Sequence, residues 1–73
     1  MSLILYSKEH CHLCDEALAL LEHGGLSAVV VDVEADDQLM AIYGLRIPVL
    51  VLPDGRELGW PFDVDQLDHF IRG

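Results

Sequence analysis

The hydrophobic pattern in the first half of the chain predicts a strand, a helix and a second strand. Residues 3–6 form an apolar run that is too short for a helix and is typical of a strand. From Cys11 onward, apolar residues recur every three or four positions, which predicts an amphipathic helix that ends near Gly24. The β-branched run at 28–33 then predicts a strand covered on both faces, as in a parallel pair joined by a crossover helix.

The middle of the chain predicts a short helix followed by a third strand. Residues 36–43 have a helical pattern, and Gly44 follows as its stop signal. Three apolar side chains of this helix are expected to face inward: Leu39, Met40 and Tyr43. Pro48 precedes the apolar run at 49–52, and proline is tolerated at the first position of a strand.

The last third of the chain predicts a hairpin and a final helix. The Pro-Asp-Gly sequence at 53–55 is a turn signal, so residues 56–59 are expected to return as an antiparallel strand. Asp63 and Gln66 have the spacing of a capping box. Its apolar positions Val64, Leu67 and Ile71 are expected to face the sheet, together with Phe70. The predicted order is β-α-β-α-β-β-α, which gives an α/β fold with a four-stranded mixed sheet and helices on both faces.

Composition narrows the possible partners. The chain has 73 residues, of which 52% are hydrophobic, and its four Lys and Arg face thirteen Asp and Glu, for a formal charge of −9. Nucleic acids and anionic membrane surfaces are therefore not expected partners, because binding them requires clustered cations. No apolar run approaches the roughly 20 residues of a membrane-spanning helix, and the N-terminus has no basic signal-peptide region. We expect a cytoplasmic monomer.

The two cysteines are the strongest candidates for chemistry. A bridge between Cys11 and Cys14 would close a very short loop and add little to the stability of the fold. Cys11 is placed at the start of a helix, where unpaired N–H groups and the helix dipole favour a thiolate. Cys14 lies one turn further along and deeper, which suits a resolving thiol.

Three residues near the first cysteine carry groups that can be positively charged. Lys8 is the only lysine in the chain, and His10 and His12 flank Cys11. Each would stabilise a thiolate when protonated, and each could equally be a solvent-exposed residue with no role.

A metal site is an open alternative. Cys11 and Cys14 could supply two ligands, and His10 or His12 a third, but structural zinc needs four and the chain has no second cysteine pair. Haem attachment is not expected, since Asp15 stands where that motif requires His. A metal or iron–sulfur site shared between two chains stays open, as does a redox-inactive binding domain.

Two segments of the chain resemble the active site of glutaredoxins, which have the thioredoxin fold. Residues 7–14, Ser-Lys-Glu-His-Cys-His-Leu-Cys, resemble the entry to that site, and Arg46-Ile47-Pro48-Val49 resembles the loop whose cis-proline faces the cysteines. The resemblance covers residues 1–73 as a single domain. It implies a cis bond before Pro48 and a docking loop, Arg46, Ile47 and Pro48, that offers backbone groups to an incoming thiol or peptide. It also implies that Arg46 is a second cation at the site.

The sequence departs from that family at two places. Glutaredoxins commonly have Pro-Tyr between the cysteines, where this chain has His12-Leu13. Members that bind glutathione have Gly-Gly and then Asp after the last strand, and here only Gly59 and Asp63 correspond. Glutathione binding at these two residues is therefore an open expectation. The closer resemblance is to small bacterial glutaredoxin-like proteins.

The resemblance implies an enzyme, a dithiol–disulfide oxidoreductase that acts in electron transport and cell redox homeostasis. Cys11 would attack a protein disulfide or a glutathione mixed disulfide, and Cys14 would resolve the intermediate, with Lys8 and His12 favouring the Cys11 thiolate. Glutathione or a reductase would supply electrons. No bound cofactor or metal is expected, with glutathione at most a co-substrate.

Overall fold

The computed structural model describes residues 3–73 and contains the predicted succession of elements. The strands and helices, in chain order, are β1 (Leu3–Ser7), α1 (His12–His23), β2 (Ala28–Asp32), α2 (Asp37–Tyr43), β3 (Val49–Val51), β4 (Glu57–Gly59) and α3 (Val64–Arg72). A single 3₁₀ turn, Val33–Ala35, separates β2 from α2. The predicted order β-α-β-α-β-β-α is confirmed.

The sheet is mixed, and its register decides which loops meet. The strand order is β2-β1-β3-β4, with β1 parallel to β2 and antiparallel to β3, and with β3 antiparallel to β4. Tyr6 pairs with Val49, and Val49 pairs with Gly59. The segment that follows β1, the loop that precedes β3 and the segment that follows β4 therefore all leave the sheet at one end, here called the site end.

The main core lies between one face of the sheet and helices α1 and α3. Leu5 and Leu50, which pair across β1 and β3, are 1% and 0% exposed. They belong to one cluster with Ala17 and Leu21 of α1 and with Leu67 of α3. The prediction that Val64 of α3 also faces the sheet is wrong, because this residue in the first turn is 49% exposed. Because the buried positions of α1 are spaced three and four residues apart, the helix buries one stripe and leaves the rest to solvent.

The opposite face is covered by α2, and more thinly than its sequence predicts. The Tyr6 and Tyr43 rings stack with their centroids 4.4 Å apart. Yet no residue of α2 is fully buried, and Met40, which was expected to face inward, is 39% exposed. Two helical turns are too short to span four strands, so this helix packs through Tyr43 and leaves the rest of its apolar side partly open. Helices on both faces are confirmed.

The expectation that β2 is covered on both faces is wrong. It is an edge strand, and Val29 and Val30 are 61% and 50% exposed. β-branched residues favour the extended backbone of any strand, so a run of valines does not tell an edge from a centre. Within the described residues, no helix is long and apolar enough to cross a membrane.

Candidate functional site

Cys11 is the N-cap of α1. Its backbone is extended, with φ −99° and ψ 105°, and its Sγ accepts a hydrogen bond from the backbone N–H of Cys14 at 3.2 Å. A serine or aspartate oxygen at an N-cap accepts the same bond. The half-buried sulfur therefore lies among the unpaired N–H groups of the first turn, where negative charge is stabilised.

Cys14 lies one turn below Cys11 and is 3% exposed. Burial raises the pKa of its thiol, and the hydrogen bond with Cys11 acts in the same direction. Hydrogen bonds with the Ser7 side chain and the Lys8 backbone act in the opposite direction and lower the pKa of Cys14. Both cysteines are free thiols. The two sulfurs thus differ in the way that stepwise exchange requires, one accessible and one sheltered.

Ser7 is a site residue that the sequence analysis missed. It is the last residue of β1 and only 8% exposed, and its hydroxyl donates to the Lys8 carbonyl at 3.4 Å. The alternation of β1 places Leu3, Leu5 and Ser7 on the core face. Extending the predicted strand by one residue, to Ser7, would have placed this polar side chain on the core face, on the side of the cysteines.

The three residues expected to carry charge near Cys11 occupy different surroundings. His10 has a left-handed backbone, with φ 58°, and is exposed, as is His12 in the first turn of α1. Lys8 is half-buried beside a groove of about 210 Å³ that Val30 and Asp32 also line. Stabilisation of the thiolate by Lys8 and His12 stays a prediction.

The loop before β3 is hydrogen-bonded to the end of α2 on one side and to the segment after β4 on the other. The Ile47–Pro48 bond is cis, as the resemblance implied, and the Trp60–Pro61 bond, for which no such expectation existed, is also cis. The N–H groups of Arg46 and Ile47 both donate to the Tyr43 carbonyl, at 2.7 and 3.0 Å. The Pro48 carbonyl accepts from the Trp60 N–H at 3.1 Å.

These bonds determine what the docking loop can offer a partner. Its N–H groups are engaged, whereas the carbonyls of Arg46 and Ile47 accept no hydrogen bond from any other residue in the 3–73 range. An incoming backbone or thiol could therefore donate to this loop more readily than it could accept from it.

Arg46, expected to be a second cation at the site, is paired with a carboxylate, and its role at the site stays a prediction. Its Nη2 lies 2.9 Å from Oε1 of Glu57, and its guanidinium lies over the Tyr43 ring, 5.3 Å from the centroid. The Tyr43 hydroxyl donates to the other oxygen of Glu57 at 2.5 Å. The hydrogen bond from Tyr43 is the largest cause that lowers the pKa of Glu57, and the hydrogen bond from Arg46 is the next. The carboxylate of Glu57 therefore stays ionised and neutralises Arg46.

The two residues expected to contact glutathione are placed at the site end. Gly59 ends β4, and Asp63 is the N-cap of α3. The predicted capping box is confirmed: Asp63 Oδ1 accepts from the Gln66 N–H at 2.7 Å, and Gln66 Oε1 accepts from the Asp63 N–H at 3.0 Å. The Asp63 backbone N–H and one oxygen of its carboxylate are thus engaged in its own helix, and glutathione binding there stays a prediction.

Metal ligation finds no further support in the geometry. No cluster of three or more His, Cys, Asp or Glu side chains able to hold a metal ion occurs among residues 3–73. The cysteine pair thus stands without a third ligand in the part of the chain that is described.

Comparison with known proteins identifies the family. The family model described as Glutaredoxin-like domain (DUF836) matches residues 2–72. The chain belongs to this glutaredoxin-like family. No functionally curated protein matches it. This glutaredoxin-like domain is similar to the structural-genomics target protein XcR50 from X. campestris, with 42% identity, a TM-score of 0.91, and 96% of this chain and 95% of that one covered.

More distant structures agree in fold. Protein Ne2328 from Nitrosomonas europaea is 28% identical, with a TM-score of 0.81 over 94% of this chain and 88% of that one. A glutaredoxin from Archaeoglobus fulgidus is 22% identical, with a TM-score of 0.69 over 97% and 86%. The glutaredoxin-like domain therefore has the thioredoxin-like fold that its sequence predicts.

Proposed function

We propose that this glutaredoxin-like domain is a thiol–disulfide oxidoreductase in which Cys11 is the nucleophile and Cys14 the resolving thiol. The observation that carries the proposal is the cap geometry: the Cys11 sulfur accepts the Cys14 N–H at 3.2 Å, and the Cys14 thiol is buried one turn below. Membership of a glutaredoxin-like family supports the same assignment.

The reaction consists of two exchanges. The Cys11 thiolate attacks one sulfur of a substrate disulfide, forms a mixed disulfide with it, and releases the other substrate sulfur as a thiolate that takes a proton from water. Cys14 then loses its proton and attacks Cys11 Sγ, which releases the second substrate thiolate. The substrate disulfide gains two electrons and two protons, and the Cys11–Cys14 pair becomes a disulfide.

The environment of Cys14 supports this order of events. Burial and the hydrogen bond with Cys11 both raise the pKa of Cys14, so its thiol stays protonated while Cys11 is free. Once Cys11 is joined to substrate it no longer bears charge, and its contribution to the raised pKa is removed. Cys14 therefore becomes a better nucleophile at the stage where it is needed.

The oxidised pair must be reduced again by an external thiol. Glutathione or a reductase is the proposed donor, and a protein disulfide or a glutathione mixed disulfide is the proposed substrate. Lys8 and His12 are the proposed stabilisers of the Cys11 thiolate, and the Arg46–Pro48 loop is the proposed docking element. We also propose a cytoplasmic location, because the reduced dithiol form requires a reducing compartment.

A trapping experiment tests the assignment. The Cys14→Ser protein is mixed with bis(2-hydroxyethyl) disulfide and should accumulate a stable adduct on Cys11, whereas the wild-type protein should proceed to an internal disulfide. The matched Cys11→Ser protein should react much more slowly, because its remaining thiol is buried. Mass spectrometry reads all three. If Cys11 alkylates no faster than a free thiol at acidic pH and no adduct forms, the proposal is wrong.

A further inference from the structure

Arg46 and the partner of its side chain, Glu57, enter the sheet at different levels. Arg46 belongs to the loop that enters β3 at the site end, two residues before Pro48. Its partner Glu57 pairs with Val51, at the opposite end of the three-residue strand β3. Two residues of strand separate these levels, about 7 Å. Glu57 thus binds the Arg46 side chain from a strand position two residues away from the site end.

The carboxylate of Glu57 and the ring of Tyr43 together hold Arg46 in this position. One carboxylate oxygen binds Arg46 at 2.9 Å, and the other accepts the Tyr43 hydroxyl at 2.5 Å. The Tyr43 ring lies under the guanidinium and stacks on Tyr6 of β1. An exposed ion pair alone would be weak. The aromatic platform and the shared carboxylate give this one a defined geometry.

The site end is consequently poor in free positive charge. Arg56 and Arg72 are also paired, with Asp54 and Asp68, and Lys8 is the only Lys or Arg side chain without an ion pair in the described range. Leu45, which precedes the docking loop, is fully exposed. On a chain with a formal charge of −9, such a surface favours apolar or basic segments over anions.

We propose that Glu57 is a specificity-determining residue that neutralises Arg46 in the docking loop and so disfavours the anionic thiol glutathione relative to neutral or basic protein disulfides. The inference rests on the proposed function and names its substrate class. Glutathione carries two carboxylates, for which a free arginine beside the cis-proline loop would be a matching group. Removing the charge of Glu57 should leave the guanidinium unpaired and able to bind those carboxylates.

The test compares two disulfides in a Cys14→Ser background, where only the first exchange occurs. The rate of Cys11 modification is measured at low ionic strength with oxidised glutathione, a dianion, and with neutral bis(2-hydroxyethyl) disulfide. Glu57→Gln should raise the ratio of the first rate to the second by about threefold, the effect of one unit charge in water at about 7 Å. High salt should reduce the gain.

Two further variants separate release of Arg46 from a change in total charge. Asp54→Asn removes the same charge and frees Arg56, but Asp54 lies in the turn at the far end of the hairpin, so the ratio should stay near that of the parent. Adding Arg46→Gln to Glu57→Gln should abolish the gain. Arg46→Gln alone should lower the ratio, because it leaves the Glu57 carboxylate unpaired beside the loop.

An unchanged ratio in Glu57→Gln overturns the proposal. So does an equal rise in Asp54→Asn, or a gain that persists without Arg46. The proposed function fails by a different observation, since any accessible thiol exchanges with these disulfides whether or not the protein is an enzyme. A Cys11 that alkylates no faster than a free thiol contradicts the oxidoreductase assignment and leaves the ratio measurable.

Discussion

Replacing His10 by glycine is expected to stabilise the domain. Among residues 3–73, His10 is the one non-glycine residue with positive φ, at 58°. An L-residue in this left-handed region costs about 1–2 kcal/mol, which glycine avoids. Glycine in turn loses about 0.5–1 kcal/mol through the greater freedom of the unfolded chain. The difference predicts a net gain of about 0.5–1 kcal/mol for His10→Gly.

Urea denaturation of the reduced proteins measures this gain as a shift of the midpoint at constant slope. In a domain of this size, about 1 kcal/mol corresponds to a change in Tm of about 4–8 °C. His10→Asn is the matched control, because asparagine tolerates left-handed geometry better than most residues and also lacks the imidazole. We expect the asparagine variant to lie between the wild-type protein and the glycine variant.

The result that would refute the reasoning is a loss of stability in both variants. It would mean that contacts of the imidazole outweigh the backbone strain. Alkylation of Cys11 in the same two proteins tests whether the His10 side chain also stabilises the Cys11 thiolate. If the imidazolium of His10 stabilises the thiolate, both variants should alkylate more slowly at acidic pH, and if it does not, both should match the wild-type rate.

Two other changes test the site and its scaffold. Ser7→Ala removes a hydrogen bond that lowers the pKa of Cys14, so that pKa should rise further and the resolving step should slow at neutral pH, with its rate profile displaced to higher pH. Stopped-flow release of the second substrate thiol measures this, with Ser7→Thr as the hydroxyl-retaining control, and an unchanged profile would contradict the role of Ser7. Asp63→Ala removes the α3 capping box and should cost about 1 kcal/mol of unfolding free energy, with Cys11 alkylation unaffected. An unchanged urea midpoint would show that the cap contributes nothing.

The order of elements was predictable because each boundary carries a local chemical signal. Asp63 and Gln66 specify a capping box through groups three residues apart, and the 53–55 turn contains Gly55 with φ 93°. The cis bond before Pro48 is different. Local sequence cannot distinguish it from the more common trans form, so it followed from resemblance to a family.

The remaining features depend on contacts that are distant in sequence. Arg46 and Glu57 are eleven residues apart, and their pairing requires the β3–β4 register, which no local pattern gives. The exposure of β2 likewise depends on which strand takes the centre of the sheet. The helical pattern correctly predicted that Cys11 lies at the start of a helix, but no local pattern indicates that Arg46 pairs with Glu57.

The open edge formed by β2 gives the negative charge of the chain a second role. Val29 and Val30 are exposed on a strand with one unpaired side, a geometry that invites edge-to-edge association of copies. Mutual repulsion between chains of formal charge −9 opposes such stacking at neutral pH. Near pH 4, where carboxylates take up protons, that repulsion fades, and the colloidal stability of the domain should fail before its fold does.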